Sequence, residues 1–267
     1  MDELFLIKRL LWGWLGAALG MLLLWLLQLR TRNAGIVDVG WTLALGGLAI
    51  SFALVSQEGW GWRRAIVGVL GALWAGRLSW HLLTDRILGK PEEGRYVTLR
   101  KKWSRHVDTS FWIFFQSQAL LAVILSVPFL LATTRPEAAF DRWDVAGLFL
   151  WILGWTGESI ADRQLSRWKS DVANRNRTCR VGLWRYTRHP NYFFEWLIWC
   201  SYALLALNAP GGWLALTAPL LILYFVLKVT GIPPTEAQAV KSRGEDYRRY
   251  QRTTSAFFPW FPREENV

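Results

Sequence analysis

Cysteine, histidine and charge are all scarce in this 267-residue chain, and each scarcity excludes something. The two cysteines, Cys179 and Cys200, are too few for a disulfide framework, and Cys200 falls in an apolar run. The three histidines, His81, His106 and His189, have no close His or Cys neighbours, so no metal-ligand spacing is present and no metal is expected. No Gly-x-Gly-x-x-Gly follows a strand-like run, which excludes the dinucleotide fingerprint of a parallel sheet. There is no internal repeat and no pair of Gly/Pro-broken helices in matching halves, which argues against a transporter. Charged residues make up only 19% of a chain that is 52% hydrophobic, a balance unsuited to a soluble domain of this length.

What is present is a series of apolar runs and 19 tryptophans. A membrane span takes roughly 20 apolar residues, because the hydrocarbon core is about 30 Å thick and every backbone polar group in it must be satisfied within a helix. Runs at 10–29, 36–55, 65–84, 111–132, 145–161, 193–207 and 213–229 qualify, the last three being short or polar at their ends. The expectation is an all-α integral membrane protein of about seven transmembrane helices. Lys8 and Arg9 precede the first run, which is too long for a signal peptide and has no small-residue cleavage site after it.

A net charge of +11 would suggest nucleic acid in a soluble protein, but its distribution points to a membrane and to no nucleic-acid partner. Alternate loops and the tail collect 23 of the 31 Lys and Arg residues, and the opposite side holds six. That asymmetry places the N-terminus outside and the C-terminus in the cytoplasm.

Ionisable residues inside spans face other helices or a cavity, because lipid does not solvate them. Arg77, His81 and Asp85 recur every four residues and would share a face of the third helix. Asp38 lies early in the second. Either Asp38 and Arg77 form a buried structural ion pair, or they line a substrate cavity. Glu158 and Asp162, one turn apart, repel each other unless a cation or a polar ligand lies between them. The alternative is a solvated helix end balanced by Arg163 and Lys169.

The segment 174–195 alternates cations with aromatics. Arginine suits phosphate through its planar fork of donors, while Trp and Tyr stack on bases or anchor at an interface. Pro190 pre-sets the start of a helix whose unpaired N–H groups favour an anion or carbonyl, and Asn191 and Glu195 share a face of it. These residues suit a nucleotide-sized polar ligand. Interfacial anchoring explains the same residue types one at a time.

The order Gly182-Leu-Trp-Arg-Tyr-Thr-Arg-His-Pro-Asn-Tyr192, with Glu195, resembles the C-terminal domain of steroid 5-alpha-reductases and their bacterial relatives. Asp162-Arg-Gln-Leu, Gly231-Ile-Pro-Pro-Thr-Glu236, Glu245-Asp-Tyr-Arg-Arg-Tyr250 and Ser255-Ala-Phe-Phe-Pro-Trp-Phe261 extend the likeness. Asn33-Ala-Gly-Ile-Val-Asp38 and Arg77-Leu-Ser-Trp-His81 carry it into the N-terminal half. The resemblance implies a single membrane domain over 1–267. Its helices over 1–132 would face the substrate, and 143–267, with a cytoplasmic loop 162–192 and a tail 231–267, would hold NADPH.

Carried over by position, Asp162, Asn191 and Glu195 would contact nicotinamide and ribose, and Lys169 and Arg177 the phosphates. Tyr186 and His189 belong to the same cofactor-binding set, and Glu236 and Tyr247 would close over the dinucleotide. The implied reaction is hydride transfer to an activated, enone-type double bond of an apolar substrate drawn from the bilayer, with Asp38 or His81 as the acid. A bacterial inner membrane is the expected location.

The chain lacks the Gln-Glu pair on helix two and the Tyr on helix three that steroid reductases share, and has Phe194 where relatives have Gly. The resemblance therefore carries the cofactor further than the substrate. Arg-His-Pro-x-Tyr with a downstream Glu also resembles isoprenylcysteine carboxyl methyltransferases, which bind S-adenosylmethionine. That ligand has no phosphate, so Lys169, Arg175, Arg177 and Arg180 favour NADPH on charge. A lipid- or nucleotide-binding relative without turnover is the remaining alternative.

Overall fold

The computed structural model describes residues 3–264, and among them it is helical with no strand. The chain divides into two compact units, one running to Ala139 and including Ala206–Ala215, the other comprising Phe140–Leu205 and the chain from Leu216 onward.

The first unit opens with α1 (Glu3–Thr31), α2 (Ile36–Val55) and α3 (Gly61–Leu82). Helices α2 and α3 approach closely because glycine and alanine meet along their seam. A methyl group on Gly46 would strike Ala75, one on Gly71 would strike Ala49, and one on Gly68 would crowd Ala53. Small residues at such spacing let backbones pack without a hydrophobic driving force, as lipid-embedded helices must. The run continues past Leu82 in a π-helical turn, Leu83–Ile87. Asp85 lies in that turn, so the four-residue spacing of Arg77, His81 and Asp85 does not keep all three on one α-helical face. A basic helix α4 (Gly94–Lys102) then leads to α5 (Val107–Leu125), which packs on α1, and to α6 (Val127–Thr133), which packs on α2.

In the second unit α7 (Arg142–Ser170) starts from a capping box, in which the Asp141 side chain accepts from the Trp143 and Asp144 N–H groups and Asp144 accepts from the Asp141 N–H. Its glycines receive α8 (Pro190–Ala206): Gly147 lies under Leu205 and Ser201, Gly154 under Ile198, and Gly157 under the Phe194 ring. Phe194 thus has a matching hole across the helix pair. Beyond it come α9 (Thr217–Tyr224), a π-helical turn (Phe225–Val229), α10 (Ile232–Arg243) and α11 (Glu245–Thr253). Gly231 marks the break, where a side chain would collide with the Val226 backbone and where Pro233 and Pro234 open the next helix.

Among the described residues, five helical runs are long and apolar enough to cross a membrane: Leu4–Thr31, Ile36–Val55, Gly61–Ile87, Val107–Thr133 and Gly212–Arg243. These cover the first four and the last of the seven expected spans. The fifth expected span lies within α7, diluted by Glu158 and its polar neighbours, and the sixth within α8, which has 17 residues. The apolar helices point to an integral membrane protein in a lipid environment.

Candidate functional site

The segment after α7 and the C-terminal tail, both in the second unit, are tied together at Glu236. Its carboxylate accepts from Arg188 Nε at 2.6 Å and Nη2 at 3.3 Å, from Gln251 Nε2 at 2.7 Å, and from the Tyr247 phenol at 3.4 Å. His189 Nε2 lies 3.1 Å away. Burial lowers the His189 pKa below its ordinary value, outweighing the pull of Glu236, so the ring is neutral near pH 7. An ionised Glu236 can only accept, which assigns the proton to Nε2. The Tyr247 phenol is pushed up by burial and by the neighbouring Glu236 charge, and remains a donor.

Arg188 also donates to the Gln251 and Thr254 carbonyls, and its backbone N–H to Ser255 O at 2.9 Å. The Thr187 hydroxyl reaches Phe257 O at 2.9 Å, and Trp260 N–H reaches Tyr186 O at 2.9 Å. The buried Tyr250 phenol donates to the Trp184 carbonyl and lies 3.2 Å from Thr187 O. At the other end of α11, Asp246 accepts from Thr178 N–H at 2.7 Å and from Arg180 at 2.8 Å. Burial alone would raise the Asp246 pKa, but the Thr178 hydrogen bonds and the nearby Arg180 and Arg243 charges prevail and hold it below the usual carboxylate range. Phe257 is buried against Phe193 and Trp196, whereas Trp260 and Phe261 are exposed.

The structure brings His189, Glu236 and Tyr247 of the expected cofactor set into direct contact. Tyr186 instead meets the tail further on, accepting from the Trp260 N–H and lying edge-on to Phe261. Asn191 and Glu195 are half-buried in the first turns of α8, and Glu195 accepts from the Trp199 indole at 3.0 Å. Asp162 is half-buried on α7. Lys169, at the end of α7, and Arg177 are exposed, as is Arg175, and among the described residues none of the three has an acidic partner. Lys169, Arg175 and Arg177 are therefore not neutralised by an acid, and cations in that state would suit the phosphates of a nucleotide.

The first unit holds a separate polar cluster. Asp38 accepts from Arg95 and, at 2.8 Å, from the Tyr96 phenol. Tyr96 is buried against Phe114, and burial together with Asp38 raises its pKa, so it stays protonated. Glu92 nearby accepts from Arg100 at 2.8 and 3.0 Å and from Ala34 N–H at 2.8 Å. Of the two expected acids, Asp38 has both oxygens engaged, and His81 is half-buried in the last turn of α3, outside this cluster. Tyr96 escaped sequence reasoning because 58 residues separate it from Asp38 and no helical period connects them.

Residues 24–254 match the family described as a protein of unknown function, DUF1295. The chain belongs to this family. The family is related to steroid 5-alpha-reductase-like proteins. Among curated proteins, the uncharacterized protein C594.04c of Schizosaccharomyces pombe is 25% identical over 267 residues, covering 88% of this chain and 75% of its own length. The uncharacterized protein C9.08c of the same yeast is 35% identical over 99 residues, 31% of this chain and 35% of its own. No solved structure matches the chain. These relatives are eukaryotic, so a bacterial inner membrane finds no support in them.

Proposed function

We propose that this family member is an NADPH-dependent membrane reductase whose nucleotide lies on the second unit, against the segment 162–195 and the tail. The observation that carries the reading is the division of labour among cations. Arg180 and Arg188 are held by Asp246 and Glu236, while Lys169, Arg175 and Arg177 remain exposed without acidic partners. NADPH has a pyrophosphate and a 2′-phosphate to be neutralised, and S-adenosylmethionine has neither.

In this reading Lys169 and Arg177 take phosphate, with Arg175 beside them. Asn191 offers both a donor and an acceptor from the first turn of α8, and Glu195, half-buried one turn on, adds a carboxylate on the same face. Glu236, already saturated, acts by fixing the tail rather than by touching the ligand. When bound, NADPH would supply the hydride, delivered to an activated double bond of an apolar substrate from the bilayer. The basic segment lies on the cytoplasmic side, where the nucleotide is available.

The test is substitution in the full chain. Asn191→Ala and Glu195→Ala are expected to weaken NADPH binding several-fold without changing helix content. Unchanged affinity in both would remove this site.

A further inference from the structure

We propose that the groove at the start of α5, in the first unit, binds the phosphate headgroup of an anionic phospholipid. The groove is open, has a volume of about 360 Å³, and is lined by Lys102, Trp103, Ser104, Arg105, His106 and Ser110. Among the described residues, no acidic side chain lines it. Lys102, Arg105 and His106 are exposed, and among the described residues none of them forms an ion pair. The acid closest in sequence, Asp108, is 3.7 Å from Arg32.

Trp103 forms one wall and is locked edge-on to Phe111 at 5.2 Å and against Phe114 at 6.2 Å, so that wall is part of the packed core. Ser104 and Ser110 add hydroxyl donors. The N–H groups of the first turn of α5 point toward the same end, where the helix dipole favours negative charge.

A lipid is favoured over a free phosphate by what continues from the groove. Residues Val107–Thr133 form a helical run long and apolar enough to cross a membrane, so its start lies at headgroup depth. One turn further along, Trp112 and Ile113 are exposed, offering an acyl chain a surface that a soluble anion could not use. The Trp25 indole donates to Asp108 O at 3.0 Å, anchoring α1 at the same level. An open groove with two free cations holds an isolated phosphate weakly, whereas a lipid adds apolar contact and is already concentrated in the bilayer.

The experiment is native mass spectrometry of the purified full chain, equilibrated in neutral detergent with equal amounts of phosphatidylglycerol and phosphatidylcholine. The intact protein is expected to retain phosphatidylglycerol preferentially. K102Q with R105Q is expected to weaken that retention on the order of 25-fold, since each cation near a membrane surface contributes a factor of about five. K241Q with R263Q, the same loss of charge elsewhere, is expected to leave it unchanged. Equal retention of the two lipids, no effect of K102Q with R105Q, or an equal effect of K241Q with R263Q would overturn the proposal. Displacement of the lipid by millimolar inorganic phosphate would also overturn it, by showing a site for free anion.

Discussion

Replacing Glu236 by alanine should release the tail from the segment that follows α7. The substitution leaves Arg188 its backbone acceptors at Gln251 and Thr254 but removes the acceptor of its Nε and Nη2, of the Gln251 amide and of His189. Breaking a fully buried ion pair from one side costs about 3–5 kcal/mol, because the remaining charge is stranded away from water. Here the side chains of Arg188 and Glu236 are 10% and 13% exposed, so water softens the loss to about 2–3 kcal/mol. At about 1.4 kcal/mol per factor of ten, local opening becomes roughly 30–150 times more frequent.

Hydrogen exchange in detergent reads this directly at the amides of Arg188, Trp260 and Arg263, which donate to Ser255, Tyr186 and Thr253. Faster exchange there, with α2 and α3 unchanged, is the expected result. Glu236→Gln, which keeps shape and one acceptor but loses the charge, should fall between the two. If Glu236→Ala left Trp260 as protected as in the intact chain, the carboxylate would not be what holds the tail.

Tyr250→Phe removes a buried phenol that serves Trp184 and Thr187, leaving those carbonyls underused; a loss of about 1–2 kcal/mol is expected, read as faster exchange in α11. Acid should loosen the same region through His189. Its folded pKa is lowered from 6.5 by burial, so its contribution is complete above pH 6.5 and falls as pH drops toward the folded pKa, by at most about 1.4 kcal/mol per unit. Arg188 and Glu236 flank the ring, and His189→Gln should flatten the pH dependence of exchange between pH 7 and 5; an unchanged slope would place the sensitivity elsewhere. Gly71→Leu, which drives a side chain into Ala49, should force α2 and α3 apart and lower the yield of folded protein, whereas Gly76→Leu, at a position with open space, should be tolerated.

The helices were legible because burial in lipid demands long apolar runs: the expected span 36–55 coincides with Ile36–Val55, and the last expected span, ending at 229, stops where the π-helical turn Phe225–Val229 does. Local periodicity reached less far. A π-helical turn moved Asp85 off the expected face, and no spacing rule could pair Asp38 with Arg95 and Tyr96, or Glu236 with Arg188, across intervals of 48 residues or more. Phe194 stood out in the sequence as a bulky residue in an unexpected position, and its explanation lies on another helix, in the space left by Gly157. Among the residues expected to hold a cofactor, His189 and Glu236 meet across 47 residues of sequence, a pairing that no spacing rule could show.

Whether the second unit binds NADPH can be read by calorimetric titration of the purified full chain with NADPH, NADH and S-adenosylmethionine. Saturable NADPH binding is expected, with weaker binding of NADH for want of the 2′-phosphate and at least a ten-fold loss for NADPH in Lys169→Gln with Arg177→Gln. Binding of S-adenosylmethionine alone, or NADPH affinity indifferent to that double substitution, would contradict the proposed site.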